Sequence, residues 1–114
     1  MREPRVVVFS GAGMSADSGI ATYRGSELID GIPYEEIMNA RTLAERPAQV
    51  HALCDDRRVE LASAVPNRAH RLIAELAAAY GERLIHVTQN IDDLVERAGY
   101  EGSMHVHGRL TRMR

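Results

Sequence analysis

Residues 5–25 read RVVVFSGAGMSADSGIATYRG, and this stretch decides the fold. Val6, Val7, Val8 and Phe9 form a short, continuous, largely β-branched apolar run that leads into glycine. Continuous rather than alternating apolarity is the pattern of a strand covered on both faces, as in a parallel sheet. Gly11 and Gly13 follow, and bare backbone after a strand serves two ends. It lets the chain turn sharply, and it lets a polar ligand approach main-chain N–H groups. The spacing is not that of the dinucleotide fingerprint G-x-G-x-x-G, since the third glycine is Gly19, and no G-x-x-x-x-G-K-[ST] loop is present. The glycine pair therefore fits either a tight strand-to-helix turn or an anion cradle. Hydroxyls at Ser15, Ser18 and Thr22, and the bidentate cation of Arg24, add donors that a bare turn does not need.

Working outward, Leu84-Ile85-His86-Val87-Thr88 reads as a second buried strand, and Met104 to Val106 as a weaker third. Helices fall between them. Asn67 to Tyr80 has a cap at Asn67, a stop at Gly81 and one apolar stripe through Ala69, Leu72, Ile73, Leu76, Ala77 and Tyr80. A second helix begins at Pro47 and carries Val50, Leu53, Cys54 and Leu61 on one face. A short third follows Asp92 through Leu94, Val95 and Ala98 and stops at Gly99, while Tyr34 to Ala40 suggests a helical turn. Strands alternating with helices predict an α/β fold with a parallel sheet and crossover helices. Ligands bind such sheets at the carboxyl ends of the strands, where Gly11–Gly25 and Gln89–Asp92 both lie.

The totals agree. The 114 residues make one domain at most, with 1–114 read as part of one, and 45% apolar with 26% charged residues is ordinary for a globular protein. A net charge of −2 without a basic run points away from nucleic acid and from anionic membrane surfaces. No apolar stretch approaches the roughly 20 residues of a membrane span, and MREPRVVVFSG lacks the pattern of a secretory leader. Cys54 is the single cysteine, so neither an internal disulfide nor a cysteine-based zinc site is expected, and a reducing, cytoplasmic compartment is.

Three further features carry chemistry. Gln89 and Asn90 place amides at a strand end, beside Asp92, which can also cap the helix after it. His105 and His107 share one side if both lie on a strand. They could begin a zinc site, although no third ligand stands out, or supply a general base, or be half-buried strand histidines. Arg57 falls on the apolar face of its own helix, where an arginine either snorkels outward or serves a ligand; Arg58 reads as the ordinary surface residue.

Taken in order, GAGMSADSGIATYRG (11–25), TQNID (88–92) and HVHG (105–108) resemble the sirtuins, the NAD-dependent protein deacylases. The stretch PNRAHRLIAELAAAYGERLIHVTQNIDDLVERAG (66–99) is similar to the bacterial members in particular. The resemblance implies a Rossmann-like sheet with NAD at its mouth. Gly11, Ala12 and Gly13 would hold the pyrophosphate. Ser15, Ser18, Gly19, Ile20, Thr22, Tyr23 and Arg24 would line the cofactor loop, with Tyr23 where the family usually has phenylalanine. Gln89, Asn90, Ile91 and Asp92 would form the nicotinamide and ribose pocket. His107 matches the catalytic base, and His105 takes no role. The substrate would be an acyl-lysine protein or peptide. Members that prefer acidic acyl groups grip them with a tyrosine and an arginine three residues later; Cys54 and Arg57 stand at those positions. Relatives continue into a zinc module and later strands. Neither those strands nor the zinc ligands are in this sequence, which therefore reads as an incomplete N-terminal part, weakly active or inactive alone. A nonenzymatic NAD- or ADP-ribose-binding remnant and an NAD glycohydrolase are the rival expectations.

Overall fold

A computed structural model describes residues 3–23 and 31–112. Strand β1 (Val6–Ser10) leads through Gly11 into a single helical turn, α1 (Gly13–Ala16). Two short helices, α2 (Tyr34–Ile37) and α3 (Ala40–Glu45), precede the long α4 (Pro47–Ser63) and α5 (Arg68–Tyr80). Strand β2 (Leu84–Thr88), helix α6 (Leu94–Arg97) and the two-residue strand β3 (Met104–His105) complete the order. The sheet is parallel, ordered β1-β2-β3, with Val6 opposite Leu84, Ser10 opposite Thr88 and Thr88 opposite His105. All three strands thus release the chain at one edge, and Gly11, Gln89 and Val106 emerge side by side there.

Local chemistry explains the helices. Asn67 accepts from Ala69 N–H, while its own N–H donates to His70 Nδ1, a reciprocal cap at the start of α5. Gly81, at φ 55°, ends that helix in a conformation that suits glycine. Pro47 opens α4 at a position that needs no N–H donor. Arg97 closes α4 from outside, donating to the carbonyls of Leu61 and Ala64.

Burial falls into three clusters. Tyr34, Ile37, Val50 and Leu53 form one; Leu61, Ala64, Leu94 and Leu110 another; Ile73, Leu84 and Val95 a third, packed by Val6 and Val8. Cys54 touches the first two clusters.

Two expectations need correction. β1 is covered on one face only among the described residues, because Val7 and Phe9 are each 65% exposed. The α5 stripe is also rotated. Ile73, Leu76, Ala77 and Tyr80 pack inward and His70 is fully buried, but Leu72 is 41% exposed.

Candidate active site

The strand ends open into a cleft of about 720 Å³. Ala12 comes to it from the β1 turn, Gln89 to Asp92 from the end of β2, and His107 and Leu110 from beyond β3. Ile20 and Tyr23 close one side, and Tyr34, Val50, Arg57 and Leu61 line the side formed by α2 and α4. Volume and lining, mostly apolar with a few polar groups, are those of a small-molecule site.

Behind the wall run two buried hydrogen-bond chains. In the first, Asn67 N–H donates to His70 Nδ1, so the ring proton is on Nε2 and donates to Ser15 Oγ (3.2 Å). Ser15 then donates to Asp92 Oδ2 (2.7 Å), and Asp92 Oδ1 accepts Leu94 N–H (3.1 Å). Both carboxylate oxygens of Asp92 are thus held as acceptors. In the second, Ser103 Oγ lies 2.7 Å from His86 Nδ1, His86 Nε2 lies 2.8 Å from Ser10 Oγ, and Ser10 donates to Thr88 Oγ1. Burial pushes the pKa of both histidines below the usual value, and Asp92 partly opposes this at His70. Both rings are neutral links.

Asn90 ties the loops together. Its N–H donates to Thr88 Oγ1 (3.0 Å), and its Nδ2 donates to Gly11 O (3.0 Å) and to Ser15 Oγ (3.4 Å). Neither glycine of the first turn is demanded by the chain's own packing. A Cβ on Gly13 would meet nothing within 4 Å, one on Gly11 would make ordinary contact with Gln89, and neither has positive φ. Gly19 does need its freedom, at φ 88°.

The structure brings Ala12, Ile20, Tyr23, Arg57, Gln89, Asn90, Ile91, Asp92 and His107 to one cleft. Gly11, Gly13, Ser18, Gly19, Thr22 and Cys54 are not on its lining, and Arg24 lies outside the described residues. Ser15, read as a loop-lining hydroxyl, is 1% exposed and braces Asp92 from behind.

The paired-histidine expectation fails because β3 ends at His105 and the chain then turns. His105 is buried against Asn90 and Glu96, whereas His107 is exposed on the cleft. Among the described residues no group of three or more His, Cys, Asp or Glu side chains is placed to hold a metal ion. Arg58 is not an ordinary surface residue: it donates to Leu110 O and Asp55. Asp92 does cap α6, but from two residues before its first turn.

Residues 11–114 match the Sir2 family. The chain belongs to that family. It is 40% identical to an NAD-dependent protein deacylase of Pasteurella multocida, over 99% of this chain and 50% of that protein. A Sir2 homologue–NAD complex superposes with a TM-score of 0.78 at 38% identity, covering 90% of this chain and 41% of that one. Sir2 bound to acetylated peptide superposes at 0.72 and 25% identity, covering 91% and 40%. The chain spans about half the length of the curated relatives it matches. Its Sir2-family motifs thus surround one cleft, together with residues the motif reading passed over. His70 and His86 were the main omissions. His70 stands three residues before Ile73 and seven before Ala77, so helical spacing alone could have marked it as inward.

Proposed function

We propose that this is the nucleotide-binding part of an NAD-dependent protein-lysine deacylase. The observation that carries the reading is the meeting of Ala12, Asn90, Asp92 and His107 around one cleft at the carboxyl edge of a parallel sheet. Glycines at 11 and 13 that the fold itself does not require leave room for a ligand against the β1 turn. Main-chain amides there suit the pyrophosphate of NAD. When bound, NAD supplies a ribose hydroxyl as acyl acceptor and nicotinamide as leaving group. The Asp92 carboxylate, held from both oxygens, would offset positive charge that develops on the sugar. His107, exposed and without a protein partner among the described residues, would take the proton of the ribose hydroxyl. Ile20 and Tyr23 would cover the site; the Tyr23 hydroxyl, on its own account, donates to Met38 O. The half-buried free thiol of Cys54 accords with a reducing, cytoplasmic setting, and no helix among the described residues is long and apolar enough to cross a membrane.

The acyl-lysine would enter beside Arg57. That guanidinium already donates to Glu60 (2.7 Å) and lies over the Tyr34 ring (5.7 Å). An acidic acyl group would compete with Glu60 for it, so neutral acyl groups suit this pocket better.

Calorimetry with NAD and a nicotinamide-release assay, with and without acetyl-lysine peptide, test the proposal. Expected are NAD binding, peptide-dependent release, and in His107→Ala retained binding with acyl transfer lost. Release that ignores the peptide would replace the reading with an NAD glycohydrolase. Binding without release would leave a nonenzymatic binder, and absence of binding would end the proposal.

A further inference from the structure

We infer that His105 is a positioning residue, a buried imidazole that is held by Glu96 and clamps the Asn90 backbone in the cleft wall. Its side chain is 4% exposed, with Nδ1 2.7 Å from Asn90 O and Nε2 2.5 Å from Glu96 Oε1. A backbone carbonyl only accepts, so Nδ1 carries hydrogen. Glu96 Oε1 holds the other side of the ring and also has Arg109 Nη2 at 3.9 Å. The remaining titratable neighbour is His86 on β2, which feels both groups and is held neutral by burial. The other oxygen of Glu96 is buried without a hydrogen-bond partner among the described residues.

The clamp completes a set. Thr88 holds the Asn90 N–H, Gly11 and Ser15 hold its Nδ2, and His105 holds its carbonyl. Among the described residues only Oδ1 is left without a partner, on a residue that lines the cleft. Loss of the Nδ1 proton would set a ring lone pair against the Asn90 oxygen at 2.7 Å, and Asn90 would shift.

The consequence for ligand binding rests on the NAD reading above; the state of the ring does not. In ¹⁵N-histidine spectra of the full chain, Nδ1 of His105 should carry hydrogen. His105→Asn keeps one N–H donor toward Asn90 O. It should preserve the Asn90 side-chain amide resonance and hold NAD affinity within about threefold, whereas His105→Ala should shift the resonance and weaken NAD about tenfold. A ring without hydrogen on Nδ1, or equal effects of the Asn and Ala changes, would overturn the inference. If the unaltered chain fails to bind NAD, the functional reading falls, and the ring spectrum with the Asn90 resonance still decides the clamp.

Discussion

Ser15 shows how much one hydroxyl carries. It receives a hydrogen bond from His70, gives one to Asp92 and lies within reach of the Asn90 amide, all away from water. Ser15→Ala leaves a buried ring N–H and a carboxylate oxygen each short of a partner. A loss of about 2–3 kcal/mol is expected, measured by urea unfolding. If Asp92 positioning matters for NAD, weaker binding should accompany it in calorimetry. The two neutral histidines add a pH dependence with a definite sign. An unfolded histidine takes its proton near the ordinary value of about 6.5, whereas burial makes the folded His70 and His86 take theirs only at lower pH. Below neutrality the unfolded chain therefore binds more protons, and stability falls as pH drops through that window. Urea midpoints at pH 7.5 and 5.5 should differ in that direction. His86→Gln, which can keep one donor and one acceptor, should flatten the difference; an unchanged slope in that variant would contradict the assignment.

At the scale of elements, Asn67 is the joint between α5 and the first loop. It caps α5, and its Nδ2 donates to Met14 O (2.8 Å) and Ser18 Oγ (3.0 Å). Asn67→Ala removes the cap and the tether together. The expected cost is about 2 kcal/mol, at the upper end for a cap, and Asn67→Asp should recover the cap share alone. Thermal melts of both variants would check this split. Such elements were legible because their signals are local: the asparagine before α5, the proline at α4, the glycines after α5 and α6, the valine run of β1. What stayed hidden depends on partners far along the chain. Nothing near Ser15 tells that it faces Asp92, 77 residues away, instead of the cleft. The spacing of His105 and His107 promises a shared face only while the strand continues, and β3 stops at the first of them. Leu72 satisfies the helical period, yet it is 41% exposed beside the buried His70 and Ile73. Arg57 was marked by its apolar helix face, but its pairing with Glu60 and Tyr34 was not foreseen.

At the scale of the whole molecule, the described core is divided. Three clusters share the burial, and the radius of gyration is 15.6 Å against about 13 Å for a compact domain of this length. Among the described residues the sheet has three strands, and β1 lies at its edge with Val7 and Phe9 on a face that no described element covers. An edge strand with apolar side chains in water is a template for association. Isolated copies of this chain should therefore associate as concentration rises, seen as a growing sedimentation coefficient. Replacing Val7 and Phe9 together by threonine keeps strand propensity while removing the apolar face. That double variant should sediment as a smaller species, with its urea midpoint little changed, because neither side chain is buried within the chain. Since Val6 and Val8 pack inward against Ile73 and Leu84, the same substitutions at those two positions should instead lower stability, by about 1–3 kcal/mol each. Equal behaviour of the two pairs would mean that both faces of β1 are alike, contrary to the burial seen here.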